Sequence, residues 1–236
     1  MIVRVCERAL AARNVSRVLV ATDDERIRDA VRLAGYEAML TRADHQSGSD
    51  RLAEAVAALD SRLDLVVNVQ GDEPLISPRA IEQAVAALHA DAEAMCATTC
   101  EPMQSARDVL SADVVKVVSD ERGHALYFSR SPIPYPREEA RQYGSLAAAL
   151  EVEPALLAAF RKHAGLYVYR RAFLLEYARW PQSALERAES LEQLRMLEHG
   201  AKIRVVETED RSIGVDTAED LERVRARFAS ENLSER

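Results

Sequence analysis

The chain has 236 residues, 48% of them hydrophobic and 30% charged, which suits one sizeable soluble domain with its own core and excludes a disordered or disulfide-stapled chain. Its apolar runs are far shorter than a bilayer span requires, and Met1 leads into an amphipathic stretch carrying Arg4, Glu7 and Arg8 rather than a signal segment, so a cytoplasmic location is expected. A formal net charge of −8 argues against a nucleic-acid surface but leaves room for one anionic small ligand in a locally positive or metal-bearing pocket.

Residues 1–13 read as a helix, with Ile2, Val5, Cys6 and Ala9 at helical spacing. A strand is predicted over 17–22, and Asp23, Asp24 and Glu25 open a helix that runs to Ala34 and ends at Gly35. The alternation continues with a strand over 37–41, a helix over 48–59, an apolar strand over 65–69, and a helix started by Ser77 or Pro78 and running to about His89. Strands separated by helices of this length predict parallel βαβ units, hence an α/β fold with a mostly parallel sheet doubly wound by helices.

After Ala94 the pattern changes. Residues 95–100, 114–119 and 125–129 are strand candidates without ordinary crossover helices, and 120–123 reads as a hairpin turn, so an antiparallel insertion is expected. The proline-rich segment 131–142 is expected to be a loop or lid. A strand over 166–169, a short helix over 172–177, one longer helix over 183–198 and a strand over 203–206 follow. Thr217 then caps a final helix with Glu219 and Asp220 in its first turn. Cys6, Cys96 and Cys100 read as buried thiols, although the last two could mark half of a zinc site.

Neither a Walker A loop nor a G-x-G-x-x-G is present. The segment Val-Val-Asn-Val-Gln-Gly-Asp-Glu-Pro at 66–74 places Gln70 and Asp72 just past an apolar strand, where open α/β sheets bind ligands; a plain turn into the next helix is the alternative. Asp216 follows a second strand, and two such aspartates could share one magnesium ion, although Asp216 also suits an ordinary helix N-terminus. His45, Gln46, Ser47, Gly48, Ser49, Asp50 and Arg51 lie between a strand and a helix, as a capping segment or as a base- and ribose-binding loop. His163 and Tyr167 sit at a strand entrance, and Glu189, Glu192 and Gln193 fall on one face of the helix over 183–198, where a solvated charged face is the common outcome.

Taken in order, TRADHQSG, VNVQGDEP, VKVVSD, ALYFSR, SPIP, KHAGLY, LEQLR and GVDT closely resemble the 3-deoxy-manno-octulosonate cytidylyltransferases, the CMP-Kdo synthetase family, from Met1 to about Arg227. The resemblance implies a Rossmann-like nucleotidyltransferase domain over 1–236 that joins CTP to the sugar acid for lipopolysaccharide synthesis. It implies Asp72 and Asp216 as catalytic ligands of Mg²⁺, with Gln46, Ser47, Gly48 and Arg51 at the nucleotide. Gln70, Arg130, His163, Tyr167, Glu189 and Gln193 would surround the sugar acid, and the insertion at about 97–168 would make a homodimer contact. Members of that family open with an apolar strand and an arginine- and lysine-bearing loop for the triphosphate, ahead of the helix that starts here at Met1. The expectation is therefore that Met1 is internal to a longer product. A sialic-acid or amino-Kdo cytidylyltransferase, and a non-catalytic dimeric homologue, are the competing readings.

Overall fold

The computed structural model describes residues 1–45, 47–59, 62–210, 214–215 and 217–234, with side chains described as far as 228. Helix α1 (Ile2–Leu10) buries Val5, Cys6 and Ala9, the stripe its spacing predicts. Strand β1 (Leu19–Thr22) leads into α2 (Glu25–Leu33), where Asp24 caps by accepting from Arg26 N. Gly35, at φ 85°, supplies the left-handed residue that lets the chain leave α2 for β2 (Glu37–Leu40). Helix α3 (Gly48–Ala57) is capped by Ser47, β3 (Leu65–Asn68) follows, and Ser77 caps α4 (Pro78–Ala90) with Pro78 at the first position.

The second half is built around two long strands, β4 (Ala94–Pro102) and β7 (Arg161–Arg170). Between them lie α5 (Ala106–Leu110), the hairpin β5 (Lys116–Ser119) and β6 (Ala125–Ser129), α6 (Arg137–Gln142), α7 (Leu146–Val152) and a 3₁₀ turn at Pro154–Ala159. The expected loop over 131–142 thus ends in a helix, because Ala140 and the following Leu146 and Leu150 bury a satellite core with Met103, Val109 and Phe160. Then come α8 (Arg171–Tyr177), α9 (Ala184–Glu189), α10 (Gln193–Glu198), β8 (Lys202–Glu207) and α11 (Ala218–Ser234). The single helix expected over 183–198 is two, broken by Ser190 at φ 53°.

The main sheet is mixed, in the order β6-β5-β7-β4-β8 with β3 also on β7. β7 runs antiparallel to β3, β4 and β5, while β4 and β8 are parallel. β1 and β2 form a separate parallel pair, Leu19 opposite Glu37. An aromatic-rich core fills one face of the main sheet, with Phe128, Tyr169, Phe173 and Tyr177 buried. Ala9, Ile81, Ala84, Leu88 and Val168 fill the other. Cys6, Cys96 and Cys100 are free and buried; burial pushes the Cys100 thiol up to about 12, as suits inert core thiols.

Candidate active site

A cavity of about 1360 Å³ opens along β1 and β3 and past the end of β3, walled by α1 and α3 and by the segments around 113–115, 162–167 and 190–193. Gln70, Asp72 and Glu73 leave β3 at its rim. The turn reading and the site reading both hold there: Glu73 N donates to Gln70 O at 3.2 Å, while Asp72 Oδ1 is buried with no hydrogen-bond partner among the described residues. A buried, unpartnered carboxylate oxygen is costly and is the donor type a hard cation takes. Val215 N donates to Asp72 O at 2.9 Å, so the segment that precedes Asp216 in sequence runs beside Asp72. Asp216 itself lies outside the described residues, among which no group of three or more metal-ligating side chains gathers.

On the α3 side, Ser47 accepts from Asp50 N at 3.2 Å, the capping role, and keeps its hydroxyl proton for another acceptor. Gly48 is exposed, and a Cβ there would meet nothing within 4 Å. Arg51 donates to Thr41 Oγ1 at 2.8 Å and pairs with Asp23 at 3.1 Å, tying α3 to the ends of β1 and β2; that bond holds the Asp23 carboxyl below its usual range. His45 meets Glu54 instead of the cavity, and Gln46 lies outside the described residues.

On the β7 side, the His163 ring packs edge-on against Phe128 at 5.0 Å, and burial pushes its pKa down to about 3, so it is neutral at physiological pH. Thr98 Oγ1 donates to Leu166 O at 2.7 Å, and therefore accepts from His163 Nε2 at 2.9 Å. That assigns the proton to Nε2 and leaves Nδ1 as an acceptor. Tyr167 stacks on Tyr169 at 5.7 Å, with a buried hydroxyl that has no partner among the described residues; burial raises its pKa well above the usual value, so it stays a donor. The Gln70 amide rests on Gly165, where a Cβ would come within 3.2 Å of Nε2. Gln193 is buried at the same wall.

Arg130 and Glu189 lie behind this wall. Glu189 accepts from Ser129 Oγ at 2.7 Å and Arg130 N at 2.9 Å, while the Arg130 guanidinium donates to Glu189 O at 2.7 Å and Ala112 O at 2.9 Å. The break at Ser190 also removes the shared helical face of Glu189 and Gln193, which end α9 and begin α10. Sequence reasoning missed Thr98, which sets the His163 tautomer from an apolar strand with no motif of its own. It also missed the bond from Ser49 Oγ to Glu192 Oε2 at 2.5 Å, which joins the α3 wall to the elbow between α9 and α10.

The cytidylyltransferase family model matches residues 1–203. The chain is 54% identical over 226 residues to a 3-deoxy-manno-octulosonate cytidylyltransferase of Syntrophotalea carbinolica, covering 96% of this chain and 87% of that protein. It is 52% identical over 224 residues to one from Geobacter metallireducens, covering 95% and 85%. A solved structure of CMP:2-keto-3-deoxy-manno-octonic acid synthetase complexed with CTP aligns with a TM-score of 0.84 at 43% identity, covering 98% of this chain and 88% of that one. A 4-diphosphocytidyl-2C-methyl-D-erythritol synthase of Anaerococcus prevotii, at 15% identity and a TM-score of 0.57 over 97% of this chain and 88% of its own, shares the fold alone. With an α/β nucleotidyltransferase fold and the sequence likeness along nearly all its length, the chain belongs to the 3-deoxy-manno-octulosonate cytidylyltransferase family.

Proposed function

We propose that this protein transfers the cytidylyl group of CTP to 3-deoxy-D-manno-octulosonate, giving CMP-Kdo and diphosphate for lipopolysaccharide synthesis in the cytoplasm. The anomeric hydroxyl oxygen forms a bond to the α-phosphorus, the bond from that phosphorus to the bridging oxygen of diphosphate breaks, and the hydroxyl proton is released. The observation that carries the reading is Asp72 Oδ1, buried and without a hydrogen-bond partner among the described residues, just past the carboxyl end of β3. Asp72 and Asp216 are the proposed holders of Mg²⁺, which when bound neutralises phosphate charge and orients the nucleotide.

Around that centre Gln46, Ser47 and Gly48 would face the cytosine edge, with Arg51 fixing their helix to the strand ends. Neutral His163 would accept through Nδ1, and the Tyr167 hydroxyl would donate, so both serve hydroxyl groups of a sugar. Gln70 and Gln193 add amides. Arg130 and Glu189 would act on the sugar acid through the wall they hold in place. Diphosphate release from CTP and Mg²⁺ is measured with Kdo, amino-Kdo and sialic acid in turn; Kdo is expected to give the highest kcat/KM, and a higher value with another acid would reassign the substrate. Asp72→Asn is expected to lower kcat by on the order of a hundredfold or more, and wild-type turnover in that variant would remove Asp72 from its role.

We further propose that full turnover needs the family's apolar strand and arginine- and lysine-bearing triphosphate loop ahead of α1. What supports this is the gap between the two sheets: β1 pairs with β2 and β3 with β7, and both strands line the same cavity, with no strand between them among the described residues. A version carrying such a segment ahead of Met1 is expected to release diphosphate at least about a hundredfold faster, and equal rates would overturn this part. A non-catalytic homologue predicts no turnover in either. The insertion, where Leu126 is 62% and Tyr135 and Val152 each 59% exposed, is the proposed homodimer face. Sedimentation of a monomer at micromolar concentration would rule that out.

A further inference from the structure

The strands of the insertion meet at one lysine that none of the above uses. Lys116 is fully buried, in register with Ser129 on β6 and Lys162 on β7. Its ammonium donates to Ser111 O at 2.8 Å, to Val114 O at 2.6 Å and to Arg130 O, so its three protons meet three backbone carbonyls. A buried ammonium is costly to desolvate, and an apolar side chain in a strand would not be. The lysine therefore does something that packing alone does not require.

What it holds is the back of the cavity wall. Arg130 is fixed at its carbonyl by Lys116, at its N–H by Glu189, and at its guanidinium by the carbonyls of Ala112, Glu189 and Ser190. The segment Lys116 grips through Ser111 and Val114 continues into Val115, whose carbonyl accepts from His163 N at 2.9 Å. Both wall segments, 113–115 and 190–193, are thus tied to one cluster. Glu189 and Arg130, one carboxylate and one cation, act on the Lys116 charge, while the cavity wall itself carries Asp108, Asp113 and Glu192 with Lys162, so the positive charge of Lys116 offsets carboxylates that would repel an anion.

We propose that Lys116 is a positioning residue for the sugar acid: it fixes the 111–115 segment and the Arg130 carbonyl, and the charge it adds favours an anionic ligand over a neutral one at that wall. This rests on the sugar-acid reading above. Lys116→Met removes the charge and the three bonds, whereas Lys116→Arg keeps the charge and disturbs the bonds. Binding of Kdo and of its uncharged methyl ester is followed by calorimetry, and amide hydrogen exchange by mass spectrometry.

In the methionine variant the acid is expected to lose about tenfold more affinity than the ester, and exchange is expected to rise at 112–115 and 189–193 while β4 stays protected. The arginine variant is expected to keep the acid-over-ester preference. Equal losses for acid and ester, or a methionine variant that exchanges like the wild type at both segments, would overturn the role of Lys116. Should the variants not fold, the wild type decides: fast exchange at 112–115 and 189–193 contradicts a clamp, and slow exchange supports it. Wild-type binding of neither ligand instead defeats the sugar-acid reading, and the exchange arm still tests the clamp.

Discussion

Burial pushes His163 down to about 3, so folding takes out of titration a group that in the unfolded chain gains a proton near pH ~6.5. Between those values the unfolded state binds more protons. Stability from this group is therefore complete above pH ~6.5 and is lost as pH falls toward 3, by at most about 1.4 kcal/mol per pH unit. Urea denaturation of His163→Asn should show a flatter fall between pH 6.5 and 4 than the wild type, and an unchanged slope would mean that His163 is charged in the fold. The position of Asp72 just past an apolar strand was legible from VVNVQGDEP, whereas His163, expected ahead of a strand over 166–169, lies inside β7. Thr98 was not legible, since a hydroxyl inside an apolar strand signals nothing until its cross-strand neighbour is known. The sequence also shows that Arg130 and Glu189 are charged, but not that they spend those groups on backbone amides and carbonyls 59 residues apart.

Among the elements, the pair α9 and α10 shows how a continuous helical pattern can be cut. Ser183 forms a capping box with Glu186, and Ser190 turns left-handed, with its own N–H and that of Leu191 returning to Glu186 O. The turn brings Arg195 of α10 back onto Glu186 of α9, Nε to Oε2 at 3.0 Å, with both side chains 4% exposed. Arg195 also donates to Trp180 O at 2.8 Å and lies 4.5 Å over the Tyr177 ring. Arg195→Ala leaves the Glu186 carboxylate buried without its cation and should cost about 3–5 kcal/mol, measured by denaturation at neutral pH. A cost below ~1 kcal/mol would mean that water reaches the pair. The short elements α5, α6 and α7 were hidden for a different reason: at five to seven residues each they span less than the window in which a helical period can be counted. Their satellite core is assembled from parts of the chain that sequence proximity does not connect.

At the scale of the whole molecule, the alternation of strands and helices gave the α/β class, but not which strands pair. β7 follows a long antiparallel excursion and then inserts between β3 and β4, so the sheet mixes directions that the local pattern presented as two separate regions. Among the described residues, the same topology leaves β1 and β3 each with an unpaired edge on the 1360 Å³ cavity, with α1 on one wall and α3 on another. All four residues of β3 are only half-buried, although three are apolar, while β4, paired on both sides, is buried along nearly its whole length. An open edge is a template for one more strand, and Ile2, Val5, Val20 and Val66 give this one an apolar lining. An apolar strand joined ahead of Met1 is therefore expected to dock there, slowing exchange of alternate amides at 19–22 and 65–68 and raising the melting temperature. The same segment with proline at alternate positions cannot donate to either neighbour and should do neither. If both extensions behave alike, or if those amides are already protected in the unextended chain, the edges are satisfied by something other than a strand.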